Sequence, residues 1–310
     1  MTQGLAKSEV CIFCSTSNLE ILIPAHVLPD EVSVLKCRNC SLVFLESRDN
    51  GNELDIEETA YWDDKKQKKI YLEDKIQELF VKEFENRLVA LEQYTQTPGK
   101  LLDVGCGVGH FLATAQKRGW TVQGLDISHA ASQAARETYG LDVYVGTLEN
   151  SPLPDHYFDA VTLWDVIEHI RRPIENIKAA NRILRMGGIL VMKTPNESGF
   201  FKQFVLALYR AFGGRTAFLL KYVYYVPHYF SYSKKSMNTL LNRCGFEAIR
   251  YETDETPQEF AREKIEVHYK DDPKHSKVIA LLPTARFLAK LFRRSNKMVV
   301  YARKVREARA

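Results

Sequence analysis

The chain has 310 residues, which is enough for one large domain or two domains of ordinary size. It is 45% hydrophobic and 26% charged with a formal net charge of +4, as is typical of a soluble globular protein. No apolar run approaches the roughly 18 residues that a membrane span needs, and the polar start MTQGLAKSEV lacks the pattern of a secretory signal. We therefore expect a cytoplasmic protein.

Two Cys-x-x-Cys pairs occur near the start of the chain, beside the apolar runs LEILIP and VSVLKC, which we expect to form strands. The pairs are Cys11 with Cys14 and Cys37 with Cys40. In a reducing cytoplasm such pairs more often hold metal than form disulfides, and each suits one edge of a tetrahedral zinc site. Because four thiolates leave no open position, we predict a structural Zn²⁺ in a zinc-ribbon-like module over residues 1–60.

Residues 61–99 are predicted to form a helical lead-in to the main domain. Apolar residues recur there at helical spacing, namely Ile70, Ile76, Leu79, Phe80, Phe84, Leu88 and Leu91. One or two helices fit this pattern, and Pro98-Gly99 follows their end.

Residues 100–196 alternate between strand and helix patterns. The predicted strands are KLLDVG, WTVQGLDI, DVYVG, FDAVTLWD and GILVMKTP, and the predicted helices are GVGHFLATAQKRG, SHAASQAARETYG and PIENIKAANRILR. Ser128 is an N-cap candidate, Gly140 follows the second helix, and Pro173 lies in the first turn of the third. This alternation predicts an α/β fold with a doubly wound, Rossmann-like parallel sheet, and such sheets bind ligands beyond the carboxyl ends of their strands.

The remaining residues complete a predicted domain over residues 100–310. An aromatic-rich insertion, 197–232, precedes a helix in KKSMNTLLNRCGF and the last two strands, EAIRYETDE and KMVVYARK. Between those strands, SKVIALLPTARFLAKLFRRS is expected to be helical in part, with a break at Pro283. The C-terminal segment 278–310 holds nine lysines and arginines against one acid, so residues 1–277 carry a formal net charge of −4.

A glycine-rich turn flanked by two acids is the main chemical feature. Gly105, Gly107 and Gly109 join the first strand of the alternating region to its helix, where glycine permits a tight turn and close approach to a ligand. Asp103 precedes the turn, and Asp126 ends the next strand. An acid at that position can accept hydrogen bonds from the two hydroxyls of a ribose. The spacing departs from Gly-x-Gly-x-x-Gly, and Asp103 would repel a pyrophosphate but attract an amine. S-adenosylmethionine (SAM) has an ammonium, a sulfonium, a ribose and an adenine, and no phosphate.

These residues resemble the core of the class I SAM-dependent methyltransferases. The segments LLDVGCGVG and GLDIS resemble its first two motifs, GTLENSPLPDHYFDAVTLWDVIEHI the adenine loop and fourth strand, and ILRMGGILVMKTPN the segment around the fifth strand. The resemblance covers about a third of the chain. It implies SAM as cofactor, bound by Asp103, Gly105, Cys106, Gly107, Gly109, Asp126, Ile127, Thr147, Leu148, Leu163 and Trp164.

Within this set the resemblance implies distinct roles. Asp103 would orient the amine and Gly105–Gly107 would lie along the methionyl part. Asp126 would hold the ribose hydroxyls. The adenine would lie between Ile127 and the pair Thr147 and Leu148, with Leu163 and Trp164 as the floor of the site.

The arrangement of a zinc ribbon before this core resembles that of methyltransferases that modify sugars or other small metabolites in polysaccharide or natural-product biosynthesis. The expected acceptor is therefore a small molecule, a sugar or a lipid-linked sugar, methylated mainly on oxygen. A hydroxyl acceptor benefits from a general base, and the candidates are Asp165, His169 and His228. Asp165 and His169 would share a face if a helix followed the fourth strand; a structural role for either histidine remains an alternative.

The aromatic-rich insertion holds 12 of the 34 aromatic residues between positions 200 and 232. It could pack as a small core of its own, cover an apolar acceptor, or contact a membrane. The C-terminal run LLPTARFLAKLFRRSNK combines apolar and basic residues as interfacial helices do, which predicts peripheral membrane association.

Three other classes of function compete with a small-molecule methyltransferase. A zinc-ribbon RNA methyltransferase would bind RNA with steep salt dependence, but the net acidity of residues 1–277 disfavours nucleic acid as a partner. A non-catalytic SAM-binding scaffold would keep the fold without turnover. An NAD oxidoreductase is disfavoured by the glycine spacing. The sequence does not predict an oligomeric state.

Overall fold

The computed structural model describes residues 10–28, 31–46, 74–95, 98–224, 228–269, 272–292 and 294–308. The chain divides into two compact units. The ribbon unit comprises Met1–Arg48, Thr194–Thr239 and Tyr251–Val299, and the sheet unit comprises Asp49–Lys193, Leu240–Arg250 and Val300–Ala310.

The described elements are numbered in chain order. Up to residue 164 they are β1 Leu19–Ile23, β2 Val34–Cys37, β3 Val43–Leu45, α1 Asp74–Thr95, β4 Lys100–Val104, α2 His110–Lys117, β5 Thr121–Asp126, α3 His129–Tyr139, β6 Val143–Val145 and β7 Phe158–Trp164. Beyond it they are α4 Pro173–Ile183, β8 Leu184–Pro195, α5 Phe200–Phe212, β9 Phe230–Ser231, α6 Lys234–Arg243, β10 Phe246–Asp254, α7 Gln258–Tyr269, α8 His275–Leu291 and β11 Lys297–Lys304. Short 3-10 helices span Ala25–Val27, Gly213–Arg215 and Ala217–Tyr222.

A seven-stranded sheet with the order β10-β11-β8-β7-β4-β5-β6 confirms the predicted α/β fold. Strand β4 pairs in parallel with both β5 and β7, and the β5–β6 and β7–β8 pairs are also parallel. From β4 the chain first adds β5 and β6 on one side of that strand, and then adds β7 and β8 on the other side. The carboxyl end of β4 is therefore the switch point at which such sheets bind ligands.

Local sequence signals set the ends of the helices that cover this sheet. Ser128 caps α3 by accepting a hydrogen bond of 3.1 Å from the Ala131 amide, and Gly140 ends the helix in the left-handed region. Pro173 begins α4 as predicted, because its missing N–H costs nothing in the first turn. Part of the predicted lead-in, including Ile70, lies outside the described residues; helix α1, Asp74–Thr95, lies within the predicted segment.

In the C-terminal region one expectation was wrong and one helix was missed. Helix α8 runs without interruption through Pro283, which lies on its exposed side, so proline does not break it. The helix tolerates the loss of one backbone hydrogen bond there because the freed carbonyl is near solvent. Helix α7 was not predicted, although Thr256-Pro257-Gln258-Glu259 has the Ser/Thr-x-x-Glu form of a capping box, with proline directly before the first helical residue.

The ribbon unit contains a four-stranded antiparallel sheet with the order β1-β2-β3-β9. Its last strand lies at the end of the aromatic-rich insertion, and Val43 of β3 is paired with Ser231 of β9. A buried apolar cluster joins ribbon residues to the insertion: Leu22, Ile23, Leu28, Val34, Val43, Val205, Leu206, Leu220 and Tyr224. One side of the insertion therefore packs against the ribbon strands.

No helix in the described part of the chain combines the length and apolar character needed to cross a membrane.

Candidate cofactor and zinc sites

The glycine turn folds back over the end of β5. The amides of Gly105 and Cys106 donate to the carbonyl oxygen of Leu125, at 2.7 and 3.1 Å. Gly105, Gly107 and Gly109 have φ values of +70°, +52° and +87°, which L side chains rarely adopt. The turn thus brings a stretch of backbone to the switch point and then starts α2 at His110.

Close packing also requires glycine at two of these positions. A Cβ atom on Gly105 would lie 2.5 Å from Cγ2 of Val166, and one on Gly109 would lie 2.5 Å from Cδ1 of Leu141. Cys106 lies between them, buried, and burial raises the pKa of its thiol well above the ordinary value. It is therefore a small protonated packing residue at the turn.

Asp126 is held rigidly at the end of β5. Its Oδ2 accepts a hydrogen bond of 2.8 Å from the Gly107 amide, and its Oδ1 accepts one of 2.8 Å from the Ser128 amide. The side chain is 4% exposed, and burial raises its pKa although both amide hydrogen bonds act to lower it. The glycine turn and this carboxylate therefore form one fixed structure.

Asp103 is the second carboxylate at this edge of the sheet. It is 2% exposed and accepts a hydrogen bond of 2.6 Å from Oγ1 of Thr162, on the neighbouring strand β7. Burial raises the pKa of Asp103 well above its ordinary value, and the nearby charge of Asp126 raises it further. A cation bound beside it would favour the charged form. Thr162 was not among the predicted site residues, because its contact with Asp103 depends on strand pairing.

The other predicted cofactor residues follow neighbouring strands at the same edge. Leu163 and Trp164 end β7, Ile127 follows β5, and Thr147 and Leu148 follow β6. Leu163 and Leu148 are fully buried, whereas Ile127, Thr147 and Trp164 are half-buried. The fold thus places every predicted cofactor-binding residue at the ends of four adjacent strands or in the glycine turn.

Trp164 is supported by aromatic residues of two helices. Its ring centroid lies 4.9 Å from that of Phe111 in α2 and 6.0 Å from that of Phe84 in α1. Its indole Nε1 is buried and has no hydrogen-bond partner among the described residues. Helix α1 therefore packs against the carboxyl end of β7.

A buried ion pair also ties α1 to the sheet. Nζ of Lys193, near the end of β8, lies 2.5 Å from Oε1 of Glu83 in α1. The two side chains are 6% and 13% exposed. We did not predict this pair, although a single lysine within the apolar strand GILVMKTP was a signal that a partner was needed.

No helix follows β7 directly, so the expected helical face shared by Asp165 and His169 does not form. Asp165 leaves the strand with φ of +58°, a conformation that aspartate tolerates, and its amide donates to the Lys193 carbonyl at 2.9 Å. Residues 167–169 form a turn, and α4 begins only at Pro173. Asp165 and His169 are both half-buried in the sheet unit, and His228 is half-buried before β9 in the ribbon unit.

The four N-terminal cysteines form a compact cluster in the ribbon unit. Sγ of Cys11 lies 3.5 Å from Sγ of Cys40, Sγ of Cys14 lies 3.6 Å from Sγ of Cys37, and all four sulfur atoms are within 4.8 Å of one another. A tetrahedral zinc with Zn–S bonds of about 2.3 Å separates its sulfur ligands by roughly 3.8 Å. The cluster therefore fits a closed zinc site with four cysteine ligands.

The chemistry around the cluster is also that of a metal site. The Cys40 amide donates to Sγ of Cys37 at 3.4 Å, and such hydrogen bonds stabilise thiolate ligands. The other two cysteines, Cys106 and Cys244, lie outside the cluster; burial raises the pKa of Cys244 to about 11.

The strand order, the glycine turn and the two carboxylates define the fold of a class I SAM-dependent methyltransferase. A family model described as a methyltransferase domain matches residues 71–251, more than half of the chain, so this protein belongs to that family.

Two relatives match about a third of the chain. A ubiquinone biosynthesis O-methyltransferase of Alkalilimnicola ehrlichii is 35% identical over 107 residues, covering 32% of this chain and 42% of that protein. A protein of Mycolicibacterium smegmatis assigned as an S-adenosylmethionine-dependent methyltransferase is 35% identical over 104 residues, covering 32% of this chain and 39% of that protein. The chain thus spans less than half the length of these relatives.

Two solved structures share the fold. A Bacillus halodurans C-125 protein assigned as a methyltransferase aligns with a TM-score of 0.52 and 20% identity over 70% of this chain and 98% of that one. A geranyl diphosphate C-methyltransferase from Streptomyces coelicolor A3(2) aligns with a TM-score of 0.51 and 12% identity over 82% of this chain and all of that one. At these identities the likeness concerns the fold.

Proposed function

We propose that this protein transfers the methyl group of SAM to a hydroxyl of a small-molecule acceptor, a sugar, glycolipid or natural-product intermediate. The observation that carries the cofactor assignment is the pair of buried carboxylates, Asp103 and Asp126, at the ends of adjacent strands beside the glycine turn. Two acids repel a pyrophosphate, but they suit a ligand that offers an ammonium on one side and ribose hydroxyls on the other.

Each part of the site has a proposed task. Asp103 binds the ammonium, and Asp126, oriented by the Gly107 and Ser128 amides, accepts hydrogen bonds from the ribose hydroxyls. Gly105, Cys106, Gly107 and Gly109 provide a backbone surface without side chains that intrude. Ile127, Thr147 and Leu148 border the adenine, and Leu163 and Trp164 support the methionyl end. When bound, SAM supplies an electrophilic methyl group on its sulfonium.

Methyl transfer is an in-line displacement, so the main task of the protein is to position the acceptor oxygen and exclude water. A base then removes the hydroxyl proton. His169 is the first candidate, since it lies in the turn that follows β7. His228 is the second, and Asp165 the third. We assign oxygen as the acceptor atom because relatives named ubiquinone biosynthesis O-methyltransferases match the core.

Zinc is proposed as a structural metal, held by Cys11, Cys14, Cys37 and Cys40 with no position open for a substrate. It would tie the segment before β1 to the end of β2, where Cys37 lies. The ribbon sheet includes β9, next to His228, so loss of zinc would also disturb that candidate residue.

The test begins with isothermal titration of SAM and S-adenosylhomocysteine into zinc-replete protein. Transfer of radiolabelled methyl groups to a panel of nucleotide sugars, glycolipids and phenols would then identify the acceptor class. His169→Gln and His228→Gln should retain SAM binding, and the variant lacking the base should lose turnover and the acidic limb of its pH–rate profile. Failure of the wild-type protein to bind SAM would refute the cofactor assignment.

Two alternatives make different predictions in the same assays. An RNA methyltransferase would label RNA and bind it with an affinity that falls steeply with salt. A SAM-binding scaffold would bind the cofactor without transferring methyl groups to any acceptor. The acidic balance of residues 1–277 favours a small-molecule acceptor over RNA.

A further inference from the structure

An exposed apolar surface extends over helices α5 and α8 of the ribbon unit. Six large apolar side chains on it are between 49% and 66% exposed: Phe204, Phe212, Leu281, Phe287, Leu291 and Phe292. We call this set the α5–α8 surface. Globular proteins rarely leave so many large apolar groups together in water, and larger exposed patches of this kind mark interaction sites.

Stacked rings make the surface continuous between the two helices. The Phe200 ring centroid lies 6.1 Å from that of Phe204 on α5, with an interplanar angle of 6°. On its other side it lies 5.2 Å from that of Phe292, the residue after α8, with an angle of 10°. The opposite side of α5 is buried in the ribbon core through Val205 and Leu206. The helix is therefore anchored on the ribbon core while Phe204 and Phe212 stay exposed.

The exposed charges beside this surface are positive. Arg210, Arg215, Lys290 and Arg294 are exposed, and none of them forms an ion pair with another residue that the structure describes. The sequence contains no aspartate or glutamate at all between positions 198 and 246 or between positions 274 and 306. Helices α5 and α8 therefore combine exposed aromatic groups with cations and carry no acid of their own.

Two acids of the ribbon unit pair with other cations. Asp272 contacts Lys221 at 2.7 Å and Tyr222 at 2.5 Å. Glu255 lies 3.9 Å from Arg286, whose side chain is 20% exposed. Neither acid is paired with one of the four exposed cations.

We propose that the α5–α8 surface binds an anionic lipid bilayer. Phe204, Phe287 and Leu291 would enter the boundary between headgroups and acyl chains, and the four cations would contact lipid phosphates. Apolar side chains combined with arginine and lysine on one surface are the composition of helices that lie in the membrane interface. A symmetric dimer through the same surface is disfavoured because an isologous interface would bring these cations together.

The test is flotation of the full-length, zinc-replete protein with vesicles of phosphatidylcholine alone or with added phosphatidylglycerol. We expect binding only to the anionic vesicles at low salt. The double variant Phe287→Ser/Leu291→Ser should reduce the partition coefficient at least about tenfold, because it removes apolar groups that would be buried. The double variant Lys290→Glu/Arg294→Glu should reduce the partition coefficient by about fivefold or more for each charge that is reversed.

Two matched controls separate this surface from general effects. Met186→Ser removes a side chain that is 56% exposed on β8, and Lys235→Glu reverses an exposed charge in the first turn of α6. Both should bind vesicles as the wild type does. All variants should bind SAM with wild-type affinity, which shows that they are folded and separates this proposal from that of the cofactor site.

A second measurement reports insertion directly. In Phe287→Trp, bromine-labelled acyl chains should quench the additional indole fluorescence relative to the wild-type protein. The proposal is overturned if anionic vesicles do not bind the wild-type protein, or if the serine variant binds as well as Met186→Ser. It is also overturned if light scattering shows a dimer that Phe287→Ser/Leu291→Ser dissociates, since the surface then binds a second copy.

Discussion

The Gly107 amide donates a hydrogen bond of 2.8 Å to Oδ2 of Asp126, so the glycine turn and the acid of the next strand are directly linked. The Ser128 amide fixes the other carboxylate oxygen at 2.8 Å. The orientation of Asp126 is therefore set before any ligand binds. Preorganisation of this kind lowers the entropic cost of binding.

Replacement of Asp126 tests the proposed ribose contact. Asp126→Ala should weaken SAM binding by about 10- to 100-fold, since hydrogen bonds to a charged group contribute roughly 1.5–3 kcal/mol. Isothermal titration measures the effect. Asp142→Ala removes an exposed aspartate before β6 and should leave the affinity unchanged. Equal affinities in the two variants would exclude a role for Asp126.

Replacement of Asp103 should change affinity and stability in opposite directions. The folded-state pKa of Asp103 is raised, so its ionisation destabilises the fold as pH rises from near 3.8 through the folded-state value. Asp103→Asn should therefore raise the Tm of the ligand-free protein at neutral pH by roughly 2 °C or more, and this gain should vanish in acid. SAM affinity should fall about tenfold or more, because the ammonium loses its counter-charge.

The control for Asp103→Asn is Asp142→Asn, which should move neither the Tm nor the affinity. For the wild-type protein, SAM binding should weaken as pH falls and Asp103 becomes protonated. If Asp103→Asn lost both stability and SAM affinity, the carboxylate would be needed for folding, and the prediction of opposite changes would be wrong.

Alanine at two glycines separates backbone strain from steric conflict. Gly105 and Gly140 have similar φ values, +70° and +64°, but a Cβ on Gly140 has no neighbour within 4 Å. Gly140→Ala should cost about 1–2 kcal/mol of unfolding free energy from φ alone. Gly105→Ala should cost more, because its Cβ would lie 2.5 Å from Val166. Urea denaturation measures the unfolding free energy of both variants. Adding Val166→Ala to Gly105→Ala should recover part of the extra loss, because it removes the side chain that the new Cβ would meet.

The Glu83–Lys193 pair should contribute far more to stability than an exposed pair does. Glu83→Gln leaves a buried ammonium without its carboxylate and should cost roughly 3 kcal/mol. Glu266→Gln, in the exposed pair with Arg262, should leave the unfolding free energy essentially unchanged. Adding Lys193→Met to Glu83→Gln should restore much of the loss. Similar unfolding free energies for the two single variants would contradict the prediction.

Removal of a zinc ligand should destabilise the ribbon unit. Cys37→Ser should reduce bound zinc, measured by mass spectrometry of the metal, well below one equivalent per chain, because three thiolates hold the ion less tightly. Cys37→Ser should have a lower Tm than the wild-type protein, and removal of zinc from the wild-type protein with a chelator should lower the Tm as well. Cys244→Ser, at a buried thiol outside the cluster, should keep its zinc. Full zinc occupancy in Cys37→Ser would exclude the proposed ligand set.

Sequence patterns predicted the sheet because its elements carry strong local signals. The Ser128 cap, the Gly140 end of α3 and the glycine turn each depend on residues within a few positions of one another. The residues proposed to bind the cofactor follow from the same segments, since parallel strands end at one edge of a sheet. For these elements local chemistry and global fold agree.

Other features depended on contacts between distant parts of the chain. Thr162 was not predicted as the partner of Asp103, because only the parallel pairing of β4 with β7 places them side by side. The ion pair of Glu83 and Lys193 joins residues 110 positions apart. The expected break at Pro283 was wrong, and no helix forms directly after β7 to give Asp165 and His169 a shared face.

The pairing of Val43 with Ser231 has a consequence for how the protein is made. During synthesis the ribbon sheet lacks its last strand until residue 231 has left the ribosome, when the glycine turn and β4 to β8 are already available. Until then the free edge of β3 can pair with other chains. Zinc bound early by Cys11, Cys14, Cys37 and Cys40 would limit this hazard by holding the first three strands in register.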